Sequence, residues 1–275
     1  MTRDAWLASH AYLQPLARLH ARIDAALGGI ATPKPRIPDW DEYAEDFSTG
    51  VPLLRCADAA SDLEPAGEMI TALVARLAAD RLGGPLADDI RGLDAELRCQ
   101  AGASTRVVNW LLGDDAWSPA FDGLLRCLGW IATARYLHPL IDAFGGWRDE
   151  DRWLRRYCPT CGSLPAMAQL LGIDNGRLRL LSCGCCGTRW RYGRTACPFC
   201  ETDAQRLSAI AVRGESGLRI DYCESCRAYL KTYDGHGHEA LLLADWTSLH
   251  LDVLAQERGL KREAASLYDL EPALQ

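Results

Sequence analysis

Eight of the twelve cysteines stand in four Cys-x-x-Cys pairs within 69 residues: Cys158/Cys161, Cys183/Cys186, Cys197/Cys200 and Cys223/Cys226. A Cys-x-x-Cys turn aims two sulfurs at one point, and two such turns complete a tetrahedral S4 shell around zinc or iron. Four turns therefore predict two metal sites. Disulfides are the first alternative, but they belong to oxidising compartments. The first thirty residues carry Arg3, Asp4, Arg18, Arg22 and Asp24 and show no export signal. Thioredoxin-like redox chemistry, the second alternative, would use one Cys-x-x-Cys at the start of a helix rather than four in series.

The spacing has the form of a duplication. Cys158-x2-Cys161-x21-Cys183-x2-Cys186 is followed by Cys197-x2-Cys200-x22-Cys223-x2-Cys226, the same unit at an offset of 39 that becomes 40. Pro159 matches Pro198, and Leu178-Arg179-Leu180 matches Leu218-Arg219-Ile220. Such self-similarity favours two consecutive ribbons over interleaved ligands. The predicted sites are Cys158, Cys161, Cys183 and Cys186, then Cys197, Cys200, Cys223 and Cys226, with crossed pairing as the alternative. Alternating apolar and polar residues predict short strands over 178–182, 189–192, 218–222 and 229–233. Gly162 and Gly187 follow their turns directly, where a positive φ is often needed. Glu201 and Arg227 stand there in the second unit, so its turns are expected to differ.

Other candidate ligands fit less well. Cys185, inside Cys183-Gly-Cys-Cys186, is read as a thiol beside the site, because Cys-x-Cys matches ribbon spacing poorly. Cys56, Cys99 and Cys127 are read as small buried residues. His236 and His238 fall in a polar loop once both S4 shells are complete.

The elements that must position this chemistry follow from periodicity. Residues 1 to about 147 read as a bundle of five to seven helices. Leu13, Leu16, Leu19, Ile23 and Leu27 share one face ending at Gly28-Gly29, and Pro33, Pro35 and Pro38 mark a linker. Ser61-Asp62-Leu63-Glu64 has capping-box spacing before Ile70, Leu73, Val74 and Leu77. Leu86, Ile90, Leu93 and Leu97 form another face. Ser118-Pro119 offers an N-cap with Pro at the first helical position, before Phe121, Leu124, Leu125, Leu128, Ile131 and Ala132. A last helix is predicted through Leu242, Trp246, Leu249 and Val253, closed by Gly259, docking on either the ribbons or the bundle. The fold class is α+β: an all-helical N-terminal domain (1–150), two tandem tetracysteine modules (151–194 and 195–238) and a C-terminal helical segment (239–275).

Charge bounds the function. Residues 1–149 carry 14 basic and 21 acidic side chains, residues 150–238 carry 13 and 9, and residues 239–275 carry 3 and 7. A divalent ion held by four thiolates carries two negative charges, so two filled sites would nearly cancel the basic surplus of the middle segment. Arg177, Arg179, Arg189, Trp190, Arg191, Tyr192 and Arg194 interleave basic and aromatic groups in a way that could suit a single strand. The charge balance favours arginines that offset thiolates over a nucleic-acid surface. No apolar run reaches the length of a membrane-spanning helix. A saturated S4 shell leaves no open position for substrate, unlike a catalytic zinc site. No nucleophile–base constellation or phosphate-binding loop stands out, so the chain is read as a binding protein and not an enzyme. One-electron transfer is the alternative, since iron in such a shell is redox-active. Trp190, Tyr192, Tyr229 and Trp246 are the candidate partner-contact residues.

Longer stretches carry a family resemblance. These are Tyr157-Cys-Pro-Thr-Cys-Gly-Ser-Leu-Pro-Ala, Leu178-Arg-Leu-Leu-Ser-Cys, Gly187-Thr-Arg-Trp-Arg, Cys197-Pro-Phe-Cys-Glu, Tyr222-Cys-Glu-Ser-Cys-Arg-Ala-Tyr-Leu-Lys and Ala244-Asp-Trp-Thr-Ser-Leu-His-Leu-Asp. Their order resembles the FdhE family of formate dehydrogenase accessory proteins, over about residues 157–258. The resemblance implies a helical domain followed by rubredoxin-like modules, with the eight paired cysteines as ligands and iron favoured over zinc. It also implies a cytoplasmic protein that contacts the catalytic subunit of respiratory formate dehydrogenase before twin-arginine export, in maturation or quality control. Neither nucleic-acid binding nor membrane insertion is expected, and self-association stays open. Gly187-Thr-Arg-Trp-Arg191 departs from the family's Glu-Thr-Glu-Trp-His, so acidic and histidine contacts there do not carry over.

Overall fold

The helical spacings of the N-terminal half do fold as helices, but not all in one body. A computed structural model describes residues 2–56, 62–80, 83–173, 176–215 and 217–268. Its helices are α1 (Arg3–Ser9), α2 (Gln14–Gly28), α3 (Trp40–Thr49), α4 (Glu64–Ala79), α5 (Pro85–Cys99), α6 (Ala103–Leu112), α7 (Asp122–Trp147), α8 (Glu150–Trp153), α9 (Glu239–Leu242) and α10 (Leu249–Glu257). Its strands are β1 (Pro165–Ile173), β2 (Gly176–Cys183), β3 (Arg189–Arg191), β4 (Leu207–Ala211), β5 (Leu218–Cys223) and β6 (Tyr229–Asp234). The chain divides into two compact units that interleave in sequence. Among the described residues, one comprises 10–38, 62–147 and 267–268; the other comprises 2–9, 39–56 and 148–266.

The first unit is a bundle of α2 and α4–α7. Leu16, Leu19, Ile23 and Leu27 form the buried face of α2. In α4, Ile70, Leu73, Val74 and Leu77 are buried, and this helix packs on α2, α5, α6 and α7. The α4–α6 approach depends on Gly67, where a β-carbon would lie 2.2 Å from the carbonyl oxygen of Ser104. Helix α7 is buried on most sides, from Leu124 to Phe144, as expected for a helix at the centre of a bundle. Two helix starts differ from expectation. The N-cap predicted at Ser118-Pro119 is replaced by a start at Asp122, because the Ala120 N–H is taken by the Glu96 carboxylate at 3.2 Å. Ser61 lies outside the described residues. Asp62 serves α4 instead, accepting the Glu64 N–H at 3.0 Å.

The second unit carries the cysteine repeat. Its six strands form one sheet in the order β3-β2-β1-β6-β5-β4. Each repeat supplies a three-stranded antiparallel meander, and β1 pairs with β6 in parallel to join them. The first strand of one meander thus meets the last strand of the other. A two-fold relation would pair equivalent strands, so the modules are stacked head to tail. Residues 2–9 and 39–56, which periodicity places in the helical domain, fold in this unit instead. Phe47 stacks on Trp153 with ring centroids 5.2 Å apart, and the Trp6 indole N–H donates to the Thr247 carbonyl at 3.1 Å. These contacts hold α1 and α3 against residues far along the chain, which local periodicity cannot register.

The predicted last helix is broken into α9, a 3-10 turn over Asp245–Ser248, and α10. Its buried face is Leu251, Asp252 and Ala255, while Val253 is exposed. The cause is Lys231 on β6, which is fully buried. Its ammonium donates to the carbonyls of Asp245 at 3.0 Å and Ser248 at 3.4 Å. It also pairs with Asp245 and Asp252, both at 2.7 Å. Arg262 bonds the same two carboxylates at 2.7 and 2.9 Å, and the Tyr229 hydroxyl donates to Asp252 at 2.7 Å. Two cations and two anions therefore close a buried ring that docks the tail on the sheet. The ring also accounts for Tyr229-Leu-Lys231 and the two aspartates of the 244–252 motif.

Burial raises the Asp245 pKa, but Lys231 and Arg262 outweigh it and hold the carboxyl below its ordinary 3.8. Its folded pKa lies below its unfolded one, so its contribution is complete above about pH 4 and is lost as pH falls through the folded value. Lys231→Met leaves two buried carboxylates with one cation and is expected to destabilise this unit by about 3–5 kcal/mol. Urea unfolding followed by tryptophan fluorescence measures this; a loss under about 1 kcal/mol would show that the ring is a minor contributor.

Candidate metal centres

The four Cys-x-x-Cys turns are built alike. In each, the first cysteine's N–H donates at 2.9 Å to a carbonyl five residues on: Ser163, Thr188, Thr202 and Ala228. The residue after each second cysteine takes a left-handed conformation, with φ 81° at Gly162, 77° at Gly187, 61° at Glu201 and 64° at Arg227. The second module's turns therefore do not differ from the first's, contrary to expectation. Two non-glycine residues accept the strain because the turn is fixed at both ends by sulfur and by the repeated hydrogen bond.

The turns converge in two groups. Cys158, Cys161, Cys183 and Cys186 form one cluster, and Cys197, Cys200, Cys223 and Cys226 the other, with the sulfurs of each within 4.8 Å of one another. Pairing is thus within each repeat rather than crossed. Sulfur separations are 3.5 Å for Cys158–Cys186 and Cys161–Cys183, and 3.8 and 3.7 Å for Cys197–Cys226 and Cys200–Cys223. A tetrahedral ion with metal–sulfur bonds of about 2.3 Å has sulfur–sulfur edges of about 3.8 Å. Both clusters match the size of a zinc or iron shell, and the donor set alone does not choose between them.

The thiols make poor neighbours without a cation. Hydrogen bonds from Cys158, Cys183 and Cys186 hold Cys161 well below the ordinary thiol range. Hydrogen bonding with Cys158 and Cys161 pushes Cys183 well above it, and burial does the same to Cys186. In the second cluster, burial pushes Cys197 up and Cys226 up to about 12. Burial also acts to raise Cys223, but the backbone N–H groups of Cys226 and Ser225 prevail and bring it to about 7. Ionisation is thus favoured at Cys161 and Cys223 and opposed at Cys183, Cys186, Cys197 and Cys226. A bound divalent cation would reverse that order by favouring every thiolate, so affinity should fall as pH falls.

The clusters differ in cover. The first has all four cysteines buried, under a clamp formed by residues 50–55. Leu53 and Leu54 donate N–H groups to the Pro159 and Thr160 carbonyls at 2.8 and 2.9 Å, and the Tyr157 hydroxyl reaches the Gly50 carbonyl at 2.8 Å. Thr160 and Thr188 meet at 2.8 Å beneath it. In the second cluster Cys200 is exposed and Cys226 half-buried. Its first turn is held at Phe199, whose carbonyl accepts from Arg156 at 2.6 Å.

Other predicted residues fall as follows. Cys185 is half-buried and outside both clusters. Cys56 and Cys127 are buried, whereas Cys99 is exposed rather than buried, on the solvent side of the last turn of α5. His236 is exposed in a loop and His238 half-buried. The four candidate partner-contact residues are core: Trp190, Tyr192, Tyr229 and Trp246 are all buried. Trp190 donates to the Arg155 carbonyl at 2.9 Å, and Arg3 lies over the Trp246 ring at 5.3 Å. The basic run is largely engaged within the unit: Arg177 bonds Asp234, Arg189 bonds Gln169 and Arg191 bonds Asp151.

The fold and site define a helical bundle combined with two tetracysteine, zinc-ribbon-like modules in an α+β chain. Residues 157–194 match the family model described as FdhE, central domain. The Protein FdhE homolog of Aquifex aeolicus is 32% identical over 130 residues, covering 45% of this chain and 46% of that protein. Protein FdhE of Escherichia coli O1:K1 / APEC is 30% identical over 139 residues, covering 49% and 45%. The matches thus span about half the length of these curated relatives. The crystal structure of the FdhE protein from Pseudomonas aeruginosa superposes with a TM-score of 0.62 over 99% of this chain and 98% of that one. At 23% identity that likeness speaks for the fold. The sequence matches thus tie about half of the chain to FdhE proteins, and the structural likeness extends the shared fold to nearly all of it.

The unequal cover and the shared turn geometry each have a measurable consequence. A chelator should remove an ion from the second cluster before the first, as counted by native mass spectrometry on metal-loaded protein; simultaneous loss, or loss from the first cluster first, would contradict the role of the 50–55 clamp. Glu201→Gly should stabilise the metal-loaded protein by up to about 1 kcal/mol, by releasing left-handed strain. Gly187→Ala, whose added carbon meets no atom within 4 Å, should cost about as much for the opposite reason. Thermal unfolding of both variants decides it.

Proposed function

We propose that this chain is a maturation or quality-control accessory protein for a respiratory formate dehydrogenase, binding that enzyme's catalytic subunit in the cytoplasm before twin-arginine export. The observation that carries this reading is the pair of tetracysteine clusters, the first of which lies within the FdhE-like residues 157–194. Each presents four cysteine sulfurs at the size of a closed shell, which leaves no coordination position for a substrate. When bound, zinc would hold the turns together, and iron would in addition accept or release one electron. Cys158, Cys161, Cys183 and Cys186 would hold the first ion and Cys197, Cys200, Cys223 and Cys226 the second. The chain's own contribution is to fix the sulfurs, shield the first cluster and expose an edge of the second. Among the described residues, no helix is long and apolar enough to cross a membrane. Engagement of Arg177, Arg189 and Arg191 by neighbouring side chains speaks against a nucleic-acid groove.

The exposure of Cys200 favours one-electron transfer or redox sensing as a second reading, since an iron shell at the surface can exchange electrons with a partner. Stoichiometric zinc in protein isolated from its own host would exclude that reading.

Affinity capture from native cytoplasm, with metals quantified in the same sample, tests the first. The expected outcome is recovery of a formate dehydrogenase catalytic subunit, and weaker recovery with Cys158→Ser/Cys161→Ser. Undiminished capture by a folded, metal-deficient double variant would separate the clusters from client binding; absence of the subunit from the wild-type capture would overturn the proposal.

A further inference from the structure

The head-to-tail stacking of the two modules leaves a cavity of about 330 Å³ on one face of the sheet. Its floor includes Leu170 of β1 and Leu230 of β6, the two strands that join the modules, and Phe199 lines its side. Around this apolar floor stand Arg177, Arg179, Arg194 and Arg219. Arg179 and Arg219 are equivalent positions of the sequence repeat, brought to one cavity by the stacking.

The arginines are not equally compensated. Arg219 bonds Asp221 at 2.8 Å and Asp234 at 3.0 Å, and Arg177 also pairs with Asp234. Arg179 makes no direct ion pair with a carboxylate among the described residues, although it is buried at 6% exposure. Its guanidinium hydrogen bonds go from Nη2 to the neutral carbonyls of Gly193 and Ala196, and its Nε is buried with no acceptor. Arg194, at the exposed mouth, forms no ion pair among the described residues. Asp221 and Cys197 act on Arg179 electrostatically and the Tyr192 ring lies 5.2 Å from its guanidinium carbon, but its hydrogen bonds go only to neutral acceptors, and a buried cation without a directly paired anion is costly. The cavity therefore holds two cations beyond those that Asp221 and Asp234 neutralise. The thiolates of Cys197 and Cys223 border it and attract these cations, but they offer Arg179 no hydrogen bond.

We propose that this cavity is a binding site for a carboxylate carried on an apolar body, with Arg179 and Arg194 as its charge partners and Leu170, Leu230 and Phe199 as its apolar contacts. The volume is at the small end of ligand pockets and suits one or two residues' worth of atoms. The same chemistry is offered by a free organic acid or by an acidic residue of a peptide. The site is independent of which protein the chain serves.

The test is protein-observed NMR titration of the metal-loaded full chain with three probes: N-acetylleucine, N-acetyl-Leu-Glu-amide and the uncharged N-acetyl-Leu-Gln-amide. Saturable binding is expected for a carboxylate probe and at least about tenfold weaker binding for the neutral one. Preference for the first or second probe identifies a free acid or a peptide side chain as the source. Arg194→Ala should weaken binding by about tenfold while leaving the fold intact. Arg179→Gln should abolish it, and if that variant fails to fold, Arg194→Ala alone decides. No saturable binding of either carboxylate, equal binding of the neutral probe, or indifference to Arg194→Ala would overturn the proposal and assign the surplus charge to the thiolate cluster.

Discussion

The sheet unit depends on what happens to eight thiols gathered into two groups. Four sulfurs held at about the edge length of a metal shell repel one another as thiolates and bury polar S–H groups as thiols. A cation resolves both problems at once, and metal binding in small ribbons is folding free energy. The backbone around the clusters is arranged to hold the sulfurs at that spacing. The repeated N–H to carbonyl bond closes each turn, and the left-handed residue after it turns the chain out of the site.

The same constraint explains why strain is tolerated in the second module. Glu201 and Arg227 hold conformations that cost a side-chain-bearing residue about 1 kcal/mol or more, yet the turn they close must superpose on the glycine-bearing turns of the first. Chain repeats share geometry more strictly than they share residues. The stacking of the repeats then creates features that neither has alone: the parallel β1–β6 seam, the arginine-lined cavity, and a face on which the tail is fastened through Lys231. That lysine ring is the second anchor of the unit. It draws backbone carbonyls out of a would-be helix, which is why the tail is three short pieces.

The unequal cover of the clusters links structure to the proposed role. A segment from before residue 60 closes over the first cluster, and the second keeps an exposed sulfur. One site is suited to holding the fold and the other to meeting something outside it. Neither role requires the aromatic side chains that composition alone suggests as a docking face, since those are spent inside the unit.

Read as a string of residues, the chain already specifies the eight-cysteine set, its division into two sites, the strand pairs around the turns and most of the helices. Each of these is local: a ligand spacing, a repeat offset, or an apolar period over a few turns. Trp190, Tyr192, Tyr229 and Trp246 escape such a reading because aromatic residues look alike at a surface and in a core until burial is known. Four arrangements emerge only in three dimensions. Helices α1 and α3 belong with the sheet, and the modules join through parallel strands. Lys231 is enclosed by Asp245, Asp252 and Arg262, and Arg179 meets Arg219 across a cavity. These contacts join residues tens to hundreds of positions apart, and no residue in such a contact carries a local mark of its partner.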